Sequence, residues 1–320
     1  MPLWQRAATT SALVLISVAA AVADEFAFDF QKSLETPDKV SVSILSLEGD
    51  LEITTHDEPE VLITATKRIE ASTKELASEI AGRLEIRVVQ SNDKVTIETV
   101  MGTMTREERS LLARLLGGSH EVVARIDFNI TVPVHCDLSI ASQSGTISAD
   151  QVRGPVSVKA SSAHIVLNGI EGAVDVDNGS GSTTGELLFG PVTVRQAAGT
   201  VSLQWVEGDI RVKAGSADVD VVQERGALEV VTASGSINIK TNLDSSRDYY
   251  VQTESGNINL LLPETSSGKL HIGSEAGQIR TDIPVTLKSL SKKQMVGEFG
   301  SGGVSITLMS RLGDVSVDQF

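Results

Sequence analysis

A single cysteine, Cys136, stands in 320 residues, so no intramolecular disulfide is open to this chain. Aromatic residues are only 3% of it, which argues against the aromatic platforms on which sugar-binding grooves are built. Past the N-terminus no run of about eighteen apolar residues occurs, and none could form a transmembrane helix. Basic charge is also short: 27 Lys and Arg against 42 Asp and Glu give a net charge of −15 at pH 7. That balance argues against nucleic acid and against unaided binding to anionic lipid.

Catalytic and cofactor motifs are missing too. There is no G-x-S-x-G elbow and no G-x-x-x-x-G-K-[ST] loop. Gly179-x-Gly181-x-x-x-Gly185 has one residue too many for a dinucleotide fingerprint. His56, His120, His135, His164 and His271 are scattered without metal-ligand spacing. No cofactor and no metal are expected, and Cys136 reads as a buried small hydrophobe.

What is present begins with a leader. Arg6 is a positive n-region, residues 12–22 are a short apolar run, and Ala21-Val22-Ala23 has the small-x-small form of a cleavage site. Residues 1–23 therefore read as a signal peptide and the mature chain as secreted, periplasmic or envelope-associated, in a bacterium.

From Gly145 to Gly235 a Gly or Ala recurs every nine residues, followed in most cases by x-V/I/L-x-V/I/L, as in Gly154-Pro-Val-Ser-Val and Gly208-Asp-Ile-Arg-Val. A small residue precedes alternate repeats (Ser144, Ser162, Ser180, Ala198) and a bulkier one the others (Arg153, Glu171, Phe189, Glu207), so the full period is eighteen. A fixed short period means a solenoid whose units bury apolar faces only by stacking. The expected fold is mainly β, a right-handed parallel β-helix with about eighteen-residue, two-strand coils. Period-two alternation points Ile147, Ile165, Val201, Val219 and Ile237 inward on one sheet, and Val156, Val174, Val192, Ile210 and Leu228 inward on the other.

Residues 24–136 read as an N-terminal β-rich cap with two short helices. The first opens at the capping box Ser72-Thr-Lys-Glu75 and spans residues 74–84; the second opens at Thr105-Arg-Glu-Glu108 and ends at Gly117-Gly118. Residues 137–283 are the regular β-helix, with an insertion at 242–250. Residues 284–320 hold the last coils and cap, including a Lys- and Gly-containing loop over 289–302.

Val132-Pro133, Asp137-Leu138, Ser144-Gly145-Thr-Ile and the following Ser-Gly-x-Ile and Gly-Asp-Ile units resemble the bacterial "putative adhesin" family of domains of unknown function, over roughly residues 40–317. The resemblance implies a right-handed parallel β-helix in an envelope or secreted protein, and carries over no catalytic residue. Asp50, Asp209 and Asp314 keep that family's frequent Asp after Gly, whereas Thr146, Pro155 and Ala173 replace it.

Several groups are candidates for function. None of the eleven turns has the G-G-x-G-x-D form of a calcium nonapeptide; Asp177-Asn178-Gly179-Ser180-Gly181 comes nearest. Asp175/Asp177 and Asp218/Asp220 sit two apart on strands, about 6.7 Å, a spacing that overlaps that of a polysaccharide-active enzyme; a solvated strand face is the better reading, because nine-residue half-coils leave no long loops to wall an active site. The helix over 106–116 puts Leu111, Leu112, Leu115 and Leu116 on one side, to cap the solenoid or to serve an envelope-stress or signalling partner. Thr146, Ser148, Ser182, Thr184, Thr200, Ser202, Ser236 and Asn238 make one mostly uncharged solvent face. The opposite face mixes Lys159, Asp175, Asp177, Arg195, Arg211, Lys213 and Glu229. The reading that follows is a non-enzymatic binding or structural module, adhesin-like, that presents the Ser/Thr face to an envelope protein or glycan.

Overall fold

The computed structural model describes residues 24–102, 124–244 and 246–320. Among them are 22 strands and one helix. The first strands are β1 (Asp24–Glu35), β2 (Val40–Leu45), β3 (Leu51–His56) and β4 (Glu60–Ala71), then helix α1 (Lys74–Arg83), β5 (Leu84–Ser91), β6 (Lys94–Met101) and β7 (Ala124–Pro133). The repeats form β8 (Cys136–Asp150), β9 (Val156–Asn168), β10 (Val174–Phe189), β11 (Val192–Glu207), β12 (Ile210–Arg225), β13 (Leu228–Ser234), β14 (Ile237–Thr241), β15 (Tyr249–Ser255) and β16 (Ile258–Leu262). The C-terminal part adds β17 (Gly268–Ser274), β18 (Ile279–Thr281), β19 (Thr286–Leu290), β20 (Gln294–Phe299), β21 (Val304–Ser310) and β22 (Val315–Gln319). All belong to one hydrogen-bonded, mostly parallel sheet.

The repeat dictates the register. Val156 faces Val174, Val174 faces Val192 and Val192 faces Ile210, each eighteen positions on. Ile147 faces Ile165 in the same way. Like residues stack on like, and Val156, Val174, Val192, Ile210 and Leu228 are each at most 2% exposed. Burying such a side chain contributes about 1.5–3 kcal/mol. Strands β8 to β12 run through the small turn residues Gly145, Ala163, Gly181, Gly199 and Ala217, so each belongs to both halves of its coil.

A polar column runs inside one corner. Asn178 pairs in register with Gln196, and two coils further on Thr232 pairs with Thr253. All four are buried. Asn178 Nδ2 donates to the Ala163 carbonyl at 3.0 Å, and Gln196 Nε2 donates to the Gly181 and Thr200 carbonyls at 3.1 and 2.9 Å. These amides occupy backbone acceptors that the turn takes off the ladder, where an unpaired one would be costly.

The ends depart from simple succession. At the start, β2 and β3 pair in parallel with β8 and form its neighbouring rung. Strand β1 runs antiparallel to β4, and β4 antiparallel to β7. Helix α1 covers this end with Leu76, Ala77, Ile80 and Ala81, packed with Phe26 and Phe28 of β1. Its N-cap is Thr73, whose hydroxyl accepts the Leu76 N–H at 3.3 Å, one residue later than the capping box predicts. The helix expected over 106–116 lies outside the described residues. At the far end β21 lies between β15 and β17, and β22 between β16 and β18. Residues 289–302, expected as a loop, instead contain β20, which pairs antiparallel with both β19 and β17. The hairpin closes the end where another coil would stack.

Cys136 is fully buried on β8. Burial pushes its thiol up to about 12, because the thiolate would lose its water. The unfolded chain releases this proton near pH 9 and the folded one does not, so this group makes stability fall as pH rises from about 9 towards 12. A thiol reagent at pH 8 should label Cys136 in urea and leave it unlabelled in buffer. Equal labelling rates would place it at the surface.

Candidate functional site: the hydroxyl face

The pairing brings the Ser/Thr residues into two straight rows on one solvent face. In the first, Thr146 faces His164, His164 faces Ser182, Ser182 faces Thr200 and Thr200 faces Asp218; Ser236 is joined to Asp218 through its backbone. In the second, Ser148 faces Val166, then follow Thr184, Ser202, Asp220 and Asn238, and the row continues through Asn259 to Ser316. All eight predicted residues are therefore on the face, interrupted by His164, Val166, Asp218 and Asp220. Rows repeat at about 4.8 Å, the strand spacing. His164 Nδ1 and Ser182 Oγ lie 2.9 Å apart, and Asn238 Nδ2 donates to Asp220 at 2.8 Å. The hydroxyls of Thr184 and Thr200 bond no protein group among the described residues, and Thr200 is exposed.

Three of the four paired carboxylates, those of Asp175, Asp218 and Asp220, are engaged within the protein. Asp175 accepts two bonds from Arg195, at 2.7 and 3.0 Å, on the opposite face. Asp218 accepts the Ser236 N–H at 2.8 Å. This bond is one of a set that the sequence reading missed. Asp50 accepts from Thr146, Asp209 from Ala227 and Asp314 from Gln278, at 2.8, 2.9 and 2.8 Å. Where an Asp follows the turn residue, at Gly49, Gly208, Ala217 and Gly313, it thus takes the N–H of the adjacent rung, which the turn leaves without a ladder partner. The Gly-Asp dipeptide itself is the signal that could have revealed it.

Other groupings are visible. On the charged sheet a groove of about 520 Å³ is lined by Asp209, Arg211, Glu229, Asp248 and Tyr250, among others. Arg211 pairs with Glu229 at 2.7 Å, and Arg247 with Asp209 at 3.7 Å. At the β3–β4 turn His56, Glu58 and Glu60 each bring one ligand atom within 4.8 Å of the others, a set that could hold a cation. The sequence reading passed it over, although His-x-Glu-x-Glu is its trace. One ring nitrogen of His56 bonds the Glu60 carbonyl at 2.8 Å, and Ser33 donates to the Glu60 carboxylate at 2.9 Å.

Residues 39–318 match the family model described as Toastrack DUF4097. The chain belongs to the Toastrack DUF4097 family. The resemblance drawn from the Ser-Gly and Gly-Asp units is thereby borne out. Solved structures to which the Toastrack chain is similar include a "putative cell adhesion protein" from Clostridium sporogenes, 11% identical, TM-score 0.22, with 92% of this chain and 100% of that one covered. A "putative adhesin" from Bacteroides fragilis is 8% identical, TM-score 0.31, covering 92% and 97%. A "putative lipid binding protein" from Parabacteroides distasonis is 8% identical, TM-score 0.41, covering 90% and 96%. None of the three likenesses bears on what this chain binds. No curated protein matches it.

Proposed function

We propose that this Toastrack chain is a non-catalytic binding module, exported to the bacterial envelope on the leader at residues 1–23, which presents the Ser/Thr face to an envelope partner. The observation that carries the reading is the alignment of hydroxyl side chains over successive rungs, with the hydroxyls of Thr184 and Thr200 bonded to no protein group among the described residues. Short side chains on a regular ladder make a flat surface that a partner can approach closely over several coils. The coils are right-handed and eighteen residues long, since strand twist favours that hand and the register repeats at that interval. Residues 24–136 begin the stack, 137–283 are its regular body and 284–320 close it. No helix among the described residues is long and apolar enough to cross a membrane.

A polysaccharide-active enzyme is the alternative. It would use the Asp175/Asp177 or Asp218/Asp220 pair, of which Asp175 is held by Arg195, Asp218 by the Ser236 N–H and Asp220 by the Asn238 amide. Capture of envelope extract on immobilised protein separates the two. Thr200→Arg with Ser202→Arg should abolish capture and leave the melting temperature within a few degrees. Asp175→Asn with Asp177→Asn should leave capture intact. Unchanged capture by the arginine variant would sink the face as the contact.

A further inference from the structure

One corner of the stack carries bulky residues where the backbone favours glycine. Gln151, Gly169, Leu187 and Trp205 recur every eighteen residues, with φ of 57°, 64°, 54° and 58°. Glycine fills the position once, so the fold accepts it there. Leu187 and Trp205 instead hold a left-handed conformation that is disfavoured for their types. Both side chains face solvent, at 43% and 52% exposure, and Phe189 beside them is 43% exposed. Trp205 sits at a register shift between β11 and β12, where the pairing passes from Leu203 to Val206. A bulge of this kind re-aims a side chain. Trp4 and Trp205 are the only tryptophans, and Trp4 is in the leader, so the one indole of the exported chain is held outward at a strained residue.

Beside that corner, at the edge of the Ser/Thr face, runs a column of carboxylates and carboxamides. Asp150 pairs with Asn168, Asn168 with Glu186 and Glu186 with Gln204. Next to them lie the hydroxyls of Thr184 and Ser202. The carboxylate accepts and the carboxamide both donates and accepts, a combination that suits vicinal hydroxyls. An indole face attracts the polarised C–H groups of a sugar ring.

We propose that the Trp205 corner and the adjoining Glu186–Gln204 column form a binding site for a neutral glycan, with Trp205 stacking on one sugar ring. The proposal rests on the Ser/Thr face being the contact surface and names its ligand class. Other occupants fit less well. Three apolar side chains are far short of the ~800 Å² per partner of a stable protein interface. A phosphate or lipid headgroup would meet Glu186 and Glu207, while Arg225 is already held by Glu207 at 2.6 Å.

The test uses the full chain carrying Trp4→Phe, so that Trp205 is the sole indole. Cellohexaose, laminarihexaose, maltohexaose and the hexamer of β-1,4-linked N-acetylglucosamine are titrated while indole emission is followed, and a neutral-glycan array extends the panel. At least one neutral glycan should shift the emission to the blue and saturate. By calorimetry Trp205→Gly should weaken that binding at least tenfold, and Trp205→Phe should retain most of it. Glycine suits φ 58°, so Trp205→Gly should melt no lower than the parent. No shift with any glycan overturns the proposal. So does a shift seen only with phosphatidylethanolamine–phosphatidylglycerol vesicles, or one that grows with protein concentration alone. If the arginine variants block envelope capture yet no glycan moves the emission, the glycan assignment alone fails. If capture ignores the arginine variants, the face itself fails.

Discussion

Gly199→Val is expected to unfold the chain or to cost about 5 kcal/mol, comparable to the whole stability of an ordinary domain. Gly199 has φ 114°, outside the regions open to a side chain. A Cβ added there would overlap the Gly181 carbonyl of the preceding coil and press on Gln196 Nε2 at 3.2 Å. That same Nε2 donates to the Gly181, Ala198 and Thr200 carbonyls at 3.1, 3.2 and 2.9 Å. Backbone strain of roughly 1–3 kcal/mol therefore adds to buried acceptors left unpaired, each worth about 1–3 kcal/mol. Gly82→Ala is the control, because Gly82 lies in α1 with nothing within 4 Å of an added Cβ. It should raise stability by up to about 1 kcal/mol. Urea melts of the two variants that coincide would show that close coil approach does not restrict the turn.

Val192→Asp should be nearly as damaging. Val192 is 1% exposed and lies between Val174 and Ile210 on the adjacent coils. An unpaired carboxylate there has no donor to meet, and its burial should cost about 4 kcal/mol. Thr193→Asp, one residue on, faces solvent between Asp175 and Arg211 and should change stability by less than about 0.5 kcal/mol. Since side chains alternate strictly along a strand, equal losses in the two melts would mean that the register is slipped by one residue.

The body of the stack was legible because its information is local and repeated. Ile147, Val156, Val174 and Val192 declared their inward direction by alternation, and the eighteen-residue period declared their partners. Harder to read were features that depend on one choice among distant partners. Nothing near Gly268 says that β17 will stack on β21 rather than directly on β15. Strand β1 was overlooked although Phe26, Phe28 and Phe30 alternate, because it follows the leader and has no repeat. The rows of Thr146 and Ser148 could be listed from sequence, but not that the intervening Asp218 secures a backbone N–H. Nothing in the repeat pattern around Trp205 marks it out. Its outward position comes from the left-handed corner that it shares with Leu187 and from the register shift beside it, both visible only in the folded chain.

The constant interval has a consequence for how such a chain can change. From β13 to β15 the interval stretches to twenty-one, Leu228 facing Tyr249, yet Val230 still faces Val251 and the ladder resumes undisturbed. The extra residues are expelled at a corner, around Asp244 and Tyr249, where the Tyr249 hydroxyl accepts the Asp244 N–H at 2.8 Å. Lengthening is thus quantised. Gain or loss of one whole coil leaves every other rung in phase, whereas a stray residue survives only where the backbone already bends. The reach of the outer surface is then set by a count of units, as a ruler is set by its divisions, and can grow without redesign of any single contact.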